Sequence, residues 1–209
     1  MFTKEQIRNA IDDPQILVWK GGFKNTPTWE QFIWHCHDRY WNPKFEEYTP
    51  PDPKDTIVHG VNIREHFYLM MADAPAEFFP QIRDVDAYLN TVMDTKKFGG
   101  FTLINFVGGE TPINIHSDPR HSFYWQTKGY SVWKTWKNDP GPLDENGLAE
   151  NPDLVVKVEE GDIIFVPHGI RHSVDTPVPR TAMSFMYELD PNVTGCDCHH
   201  ADELHNYNA

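Results

Sequence analysis

Two short stretches of the sequence place metal-binding side chains at spacings that predict one shared site. In the first, His116 and Asp118 are separated by one residue inside the segment 113–118, which is typical of a β-strand. Because residues i and i+2 of a strand point to the same face, we expect the imidazole and the carboxylate to project side by side. His-x-Asp alone is a weak signal in a chain with 11 histidines, so a surface pair is the plain alternative.

The second stretch, residues 161–174, runs from a glycine turn through an apolar strand into a Pro-x-Gly-x-x-His turn. This turn would return the chain into a barrel with His172 at the barrel mouth. Turn, strand and candidate ligand must occur in this order, which makes the pattern more specific than the first. The turn spacing disfavours His168 as a ligand, and a Pro-Arg turn should carry His121 away. We expect both to lie at the surface or beside the site.

Together the two stretches offer two imidazoles and one carboxylate, which is the donor set of non-heme Fe(II) oxygenases. His116, Asp118 and His172 would bind the metal and leave three coordination positions for substrate, cosubstrate and oxygen. No thiolate is present to favour zinc or an iron–sulfur cluster. Two alternatives stay open. One is a metal-free barrel with buried, hydrogen-bonded histidines, and the other is an ion pair in which Arg120 neutralises Asp118.

The second half of the chain must position these side chains, and its pattern predicts strands. Eight short strand-like segments, separated by turns that contain Gly or Pro, follow one another without a helix between them. They span residues 101–106, 113–118, 122–127, 130–136, 154–158, 162–166, 173–175 and 181–189. Short strands at this spacing favour an antiparallel sandwich or barrel of the jelly-roll type.

The first half, residues 1–95, predicts a helix-rich layer that covers the barrel. Thr3 and Gln6 form a Thr-x-x-Gln capping pattern, which favours a short first helix. A compact apolar run at residues 15–19 is a strand candidate. The spacing of apolar residues predicts further helices over residues 26–37, 63–71 and 84–93. The fold class is therefore mainly β with a helical cover, in the α+β class.

Three aromatic residues of the predicted barrel are candidates to line a pocket. Tyr124, Trp125 and Trp133 lie on the two predicted strands that follow the His-x-Asp stretch. Plain core packing is an equal alternative for each of them. The long connection from residue 138 to residue 152 is a candidate lid, because loops of this length in compact domains are often functional.

Charge and composition exclude several classes of protein. The 18 Lys and Arg residues against 31 Asp and Glu residues give a formal net charge of −13, which disfavours a nucleic-acid partner. No apolar run reaches the roughly 18 residues of a membrane-spanning helix, and the N-terminus lacks the features of a signal peptide. We therefore expect a cytoplasmic enzyme with no membrane partner.

The three cysteines predict no disulfide framework, because their number is odd and two of them share the polar C-terminal tail 191–209. In that tail, Cys196, Cys198, His199 and His200 offer metal ligands. A zinc site usually needs two ligand pairs on separate arms, whereas this is a single cluster. A flexible tail without a metal is the favoured interpretation.

Three motifs in order give the second half a resemblance to a known family. They are His116-Ser-Asp118, then Ser-Phe-Tyr-Trp-Gln-Thr-Lys-Gly-Tyr at residues 122–130, then Gly-Asp-Ile-Ile-Phe-Val-Pro-x-Gly-x-x-His ending at His172. Over residues 100–190 the chain resembles the JmjC-type, or cupin-like, 2-oxoglutarate- and Fe(II)-dependent oxygenases. The order, spacing and turn motifs make this resemblance specific at the level of the superfamily.

The resemblance implies a double-stranded β-helix over residues 96–190, with Fe(II) held by His116, Asp118 and His172. It also implies that oxidative decarboxylation of 2-oxoglutarate drives hydroxylation of a C–H bond in a small molecule or a protein side chain. Two alternatives are kept. One is a cupin-type metalloenzyme that does not use 2-oxoglutarate, and the other is a non-catalytic jelly-roll binding protein.

One departure from the family concerns the cosubstrate. These oxygenases usually carry a Lys that pairs with the distal carboxylate of 2-oxoglutarate, and an Asn soon after His-x-Asp; here the two positions are Ser131 and Ser122. A buried dicarboxylate needs a cation. Lys134 would point to the other face of the strand unless a bulge intervenes. Arg180 on the last strand, on the same face as Ser184, is the preferred candidate for cosubstrate binding.

Overall fold

A computed structural model of the chain describes residues 1–32, 57–58, 61–62, 68–72, 79–105, 115–137, 149 and 151–189. Helix α1 spans Lys4–Asp12 and helix α2 spans Ile82–Val92. The strands are β1 (Leu17–Trp19), β2 (Ile57–Val58), β3 (Val61–Asn62), β4 (Tyr68–Ala72), β5 (Lys97–Asn105), β6 (His116–Ser117), β7 (His121–Lys128), β8 (Tyr130–Trp136), β9 (Leu154–Glu159), β10 (Ile163–Val166), β11 (Arg171–Asp175) and β12 (Arg180–Tyr187). Within these residues, no helix is long and apolar enough to cross a bilayer.

The strands form two large antiparallel sheets. The first has the order β1-β10-β7-β12-β5-β4, the second has the order β6-β11-β8-β9, and β2 and β3 pair separately. Neighbours in a sheet are mostly distant in the chain, as in jelly rolls, where consecutive strands alternate between two sheets. The predicted mainly β fold of the jelly-roll type, a double-stranded β-helix, is confirmed.

Side chains of the six-stranded sheet alternate between two cores. On β12, Met183 and Phe185 pack on the helix side with Ile7 of α1 and Leu89 of α2. Ala182 packs instead between the two sheets, in a cluster that includes aromatic and aliphatic residues of both sheets. Because successive strand residues point to opposite faces, even-numbered positions of β12 face the barrel interior.

The two helices form where their local signals predict them. Thr3 caps α1: its Oγ1 accepts a hydrogen bond from the Gln6 N–H at 3.1 Å, and Gln6 Oε1 accepts one from the Thr3 N–H at 2.9 Å. This is the reciprocal capping box that the Thr-x-x-Gln pattern indicates. Helix α2 buries a stripe at helical spacing, made of Ile82, Val85, Leu89 and Val92. The helices cover the outer face of the six-stranded sheet.

The predicted strands of the second half agree with the structure, whereas part of one predicted helix in the first half is a strand. Each of the eight predicted strands corresponds to one of β5–β12, with residues 106 and 113–114 outside the described ranges. The helix predicted over residues 63–71 is wrong at its C-terminal end, because 68–72 form β4 and pair with β5. A short apolar run does not distinguish helix from strand, and hydrogen bonds to β5 decide between them.

Some predicted segments fall on residues that the structure does not describe. Of the helix predicted over 26–37, residues 29–32 are helical, residues 26–28 precede the helix, and residues 33–37 lie outside the described residues. The same holds for most of the candidate lid at 138–152 and for the whole tail at 191–209.

Asp162, at the turn before β10, ties the N-terminal segment to the barrel. Its Oδ1 accepts a hydrogen bond from the Gly21 N–H at 2.7 Å, and its Oδ2 accepts one from the Glu159 N–H at 2.7 Å. Lys20 Nζ lies 2.7 Å from the same Oδ2. Asp162 is 3% exposed, so these partners replace the water that its carboxylate would otherwise bind.

We expect Asp162→Ala to lower the free energy of unfolding by about 2–4 kcal/mol, because two backbone N–H groups lose a charged acceptor. Urea unfolding followed by circular dichroism measures this change. Asp94→Ala is the matched control: Asp94 is exposed and pairs with Lys4 and Arg8 at the surface, so its loss should hardly move the midpoint. Equal effects of the two substitutions would contradict the role given to Asp162.

Candidate metal centre

Strands β6 and β11 bring the three predicted metal ligands together. They pair with His116 directly opposite His172, and Asp118 comes immediately after β6. The ligand atoms of the three side chains all lie within 4.8 Å of one another. His116 Nε2 lies 3.8 Å from Asp118 Oδ1, and His172 Nε2 lies 3.9 Å from Asp118 Oδ2. The structure therefore brings the candidate ligands of the two sequence motifs together in one site.

His172 is held in the form that a metal ligand requires. Its Nδ1 lies 2.9 Å from the carbonyl oxygen of Ile170. A carbonyl oxygen only accepts, so Nδ1 carries the hydrogen and Nε2 presents its lone pair towards Asp118. Burial lowers the pKa of His172 to about 4, although the neighbouring Asp118 acts in the opposite direction. The imidazole is thus neutral at pH 7, as coordination needs.

Asp118 accepts a hydrogen bond from an aromatic residue of the facing sheet. Tyr124 Oη donates a hydrogen bond to Asp118 Oδ2 at 2.8 Å. Arg120 was the alternative ion-pair partner for Asp118. Its guanidinium lies 3.5 Å from the centre of the Phe98 ring. The carboxylate therefore accepts this hydrogen bond from a neutral phenol, and the Arg120 guanidinium packs on an aromatic ring instead.

These three side chains fit a divalent metal such as Fe(II). The donors are two imidazole nitrogens and one carboxylate oxygen, without a thiolate. The side chain of His172 is 1% exposed, whereas those of His116 and Asp118 are 34% and 15% exposed. A site that is closed on one side and open on the other leaves room for external ligands, as catalytic metal sites do.

The barrel interior beside the site carries buried hydroxyl groups. Ser122 on β7 and Ser184 on β12 are each 1% exposed, and their Oγ atoms make no hydrogen bond with any residue that the structure describes. Ser184 lies directly opposite Tyr124 in the sheet, so it is close in register to the residue that holds Asp118. A buried hydroxyl without a partner costs about 1–3 kcal/mol, so a polar ligand or water is expected there.

Solved structures of the ribosomal oxygenase YcfD from Escherichia coli resemble this chain in fold. One superposes with a TM-score of 0.57, 15% identity, and coverage of 85% of this chain and 49% of that chain. Another, in complex with cobalt and succinic acid, gives a TM-score of 0.58 at 14% identity over 89% of this chain and 52% of that one. The chain has the double-stranded β-helix fold of these oxygenases. It spans about half of their length.

One curated relative matches at the level of sequence. Over 101 residues the chain is 32% identical to a 3-hydroxyanthranilate 3,4-dioxygenase from Shewanella woodyi. The match covers 48% of this chain and 42% of that protein. No protein-family model matches the chain.

The two candidate cations for a cosubstrate point in different directions, one into the barrel interior and one away from it. Arg180 is the first residue of β12 and is 3% exposed. The pairing of β12 with β5 has no register shift between Arg180 and Ser184, so Arg180 shares the interior face with Ala182 and Ser184. Lys134 Nζ instead lies 2.8 Å from Asp175 Oδ2, on the opposite face of β8 from Trp133. The structure therefore favours Arg180 over Lys134 as the interior cation.

Ser131, which stands where the resembling oxygenases usually carry a Lys, is hydrogen-bonded to two neutral side chains. Ser131 Oγ donates to Gln126 Oε1 at 2.9 Å and accepts from Trp133 Nε1 at 3.1 Å. Trp133 in turn stacks on His172, with ring centroids 5.3 Å apart and planes at 27°. Sequence reasoning missed Gln126, although its even spacing from Tyr124 on a predicted strand would have placed it inside.

The three aromatic pocket candidates divide between the two faces of the barrel wall. Tyr124 and Trp133 face the interior, with ring centroids 5.0 Å apart. Trp125 belongs to the helix-side core and donates its Nε1–H to the Phe23 carbonyl oxygen at 3.2 Å. Of the two interpretations of Trp125, core packing is therefore correct and pocket lining is wrong, because adjacent residues of β7 point to opposite faces.

His121 and His168 lie against each other, and the ring of His121 lies 6.2 Å from that of Phe165 in the helix-side core. His121 begins β7, is 7% exposed, and accepts a hydrogen bond at Nδ1 from the His168 N–H at 3.1 Å. Burial, together with the nearby imidazole of His168, lowers the pKa of His121 to about 4. Between pH 6.5 and about 4, His121 is therefore protonated in the unfolded chain and neutral in the folded protein.

For the metal-free protein, we expect the free energy of unfolding to fall as the pH is lowered through this window. His121 alone contributes a slope of up to about 1.4 kcal/mol per pH unit, because its depressed pKa opposes protonation in the folded state. His121→Asn retains an acceptor near Nδ1 and removes the titration, so its stability curve should be flatter between pH 6.5 and 4. Chemical denaturation at a series of pH values tests this, and parallel curves for the two proteins would contradict it.

Proposed function

We propose that this protein is a non-heme Fe(II)- and 2-oxoglutarate-dependent oxygenase, a hydroxylase that acts on a small molecule or a protein side chain. The observation that carries the proposal is the convergence of His116, Asp118 and His172 within a double-stranded β-helix, with their ligand atoms all within 4.8 Å of one another. The solved YcfD structure in complex with cobalt and 2-oxoglutarate supports a metal and this cosubstrate in the shared fold.

The protein's own residues would bind and orient the reactants. His116, Asp118 and His172 would hold Fe(II), which with 2-oxoglutarate and oxygen supplies the oxidising power for hydroxylation while 2-oxoglutarate yields succinate and carbon dioxide. Arg180 would pair with the distal carboxylate of 2-oxoglutarate, since a buried carboxylate needs a cation. Ser184, on the same interior face, would donate a hydrogen bond to the same ligand.

The decisive experiment is anaerobic addition of Fe(II) and 2-oxoglutarate to the purified protein. We expect a visible charge-transfer band from the chelate, and its loss in His116→Ala. Bound metal without the band would favour a metalloenzyme that does not use 2-oxoglutarate. Absence of metal binding would leave a jelly-roll binding protein as the surviving interpretation.

A second candidate function follows from the curated relative. The 32% identity over 101 residues to a 3-hydroxyanthranilate 3,4-dioxygenase favours a dioxygenase that acts on an aromatic compound. In this second candidate, the His116, Asp118 and His172 site would work without 2-oxoglutarate. Oxygen uptake by the Fe(II)-loaded protein with an aromatic substrate such as 3-hydroxyanthranilate, in the absence of 2-oxoglutarate, would support it. Uptake that depends on 2-oxoglutarate supports the first proposal.

The net charge of the protein bears on its substrate, and we also propose a cellular location. The net charge of −13 disfavours a nucleic-acid substrate, because phosphate binding needs clustered Lys and Arg. We place the protein in the cytoplasm, where Fe(II) and 2-oxoglutarate are both available to it. Fractionation of cells that express the full-length protein tests this location.

A further inference from the structure

Tyr124 makes a contact that its expected role as a pocket wall does not require. It is 6% exposed, projects from β7 into the barrel interior, and donates its Oη–H to Asp118 Oδ2 at 2.8 Å. The phenol thus reaches from the six-stranded sheet to the residue that follows β6 of the facing sheet. We propose that Tyr124 is a positioning residue that holds the Asp118 carboxylate in the orientation in which it binds the metal.

The chemistry of a carboxylate explains why such a residue matters. A carboxylate has two equivalent oxygens, and it can turn about its last bond or bind a metal through both of them. The Tyr124 hydrogen bond occupies Oδ2 and leaves Oδ1, which lies 3.8 Å from His116 Nε2, to complete the metal site. A ligand carboxylate that is hydrogen-bonded in this way keeps one geometry and leaves the remaining coordination positions open.

Tyr124 is itself held in place, so it is suited to position another group. Its ring packs against Trp133 with centroids 5.0 Å apart, and Trp133 stacks on His172. Trp133 is anchored in turn by its hydrogen bond to Ser131, which is bonded to Gln126. One aromatic pair therefore supports two of the three ligands, with Trp133 against an imidazole and Tyr124 against the carboxylate.

The alternative is that Asp118 only satisfies a buried phenol, since buried Tyr hydroxyl groups usually find a partner. That structural role and the positioning role predict different results for Tyr124→Phe. Loss of a structural hydrogen bond would lower stability and leave metal binding unchanged. Loss of a positioning hydrogen bond would weaken the metal site and alter its geometry.

The test is titration of the purified, metal-free protein with Co(II), followed by visible absorption. Tyr124→Phe removes only Oη and keeps the ring contact with Trp133. We expect the Kd for Co(II) to rise about 10- to 100-fold, as found for partners of metal ligands, and the absorption spectrum of bound Co(II) to change. Tyr187→Phe is the matched control, because Tyr187 is fully buried on β12 and its Oη donates to Asn90 Oδ1 at 3.0 Å.

The control should bind Co(II) with the wild-type Kd and spectrum, even where its unfolding free energy falls as much as that of Tyr124→Phe. The inference is overturned if Tyr124→Phe binds Co(II) with wild-type affinity and an unchanged spectrum, or if both Phe variants weaken binding equally. It rests on the metal site of the proposed function. Failure of the wild-type protein to bind Co(II) would overturn both, whereas failure confined to the Tyr124 comparison would overturn this inference alone.

Discussion

Replacing Asp118 with alanine should abolish Fe(II) binding at micromolar metal. Asp118 is the one anionic donor of the set, and its removal leaves two neutral imidazoles facing a dication. We expect a loss of about 4 kcal/mol in binding free energy, or roughly a 10³-fold rise in the Kd for the metal. Anaerobic Fe(II) titration measures it, and 2-oxoglutarate turnover should be lost with it.

Asp175→Ala is the matched control for this experiment. Asp175 is also a carboxylate close to His172 in the chain, but it pairs with Lys134 on the opposite face of the four-stranded sheet. Its loss should leave the Kd for Fe(II) unchanged. A metal affinity that is the same in Asp118→Ala and in the wild-type protein would show that the metal binds elsewhere.

Replacing Arg180 with methionine should raise the Kd for 2-oxoglutarate about 10²- to 10³-fold, because truncating a buried charged partner costs roughly 3–4 kcal/mol. Methionine keeps much of the apolar stem of Arg180 and removes the guanidinium, so packing on the interior face is disturbed little. The readout is a 2-oxoglutarate titration of the anaerobic Fe(II) protein by its visible band. Fe(II) affinity should stay at the wild-type value.

Lys134→Met is the corresponding control. Lys134 carries the same charge on the strand where the family Lys is expected, but it pairs with Asp175 outside the interior. It should bind 2-oxoglutarate as the wild-type protein does. If Lys134→Met weakens 2-oxoglutarate binding and Arg180→Met does not, the assignment of the cosubstrate cation is reversed.

Much of the fold was predictable because its signals are local. Strand lengths in the second half follow from apolar runs between Gly- and Pro-containing turns, and α1 follows from the Thr3–Gln6 capping pair. The exception at residues 68–72 shows the limit of such signals. Their spacing fits a helix, and only pairing with β5 makes them a strand.

The candidate site was predictable in its ligands and less so in their surroundings. His116, Asp118 and His172 stand out because each has a fixed spacing to a turn or to another ligand. No spacing in the chain links Tyr124 to Asp118 or Trp133 to His172. The first contact joins the two sheets, and the second joins the neighbouring strands β8 and β11 of the four-stranded sheet. Alternation along β7 puts Trp125 on the opposite face of the sheet from Tyr124 and Gln126. Alternation alone does not say which of the two faces is the barrel interior.

The type of fold, the donor set and the order of the motifs were predictable from the chain alone, because turns, caps and strand alternation depend on neighbours in the chain. The charge of −13 likewise needed no structure. Which candidate cation faces inward, and which groups contact His172 and Asp118, became clear only from the tertiary structure. Those outcomes depend on strand register and on packing between sheets, which arise from contacts between residues far apart in sequence.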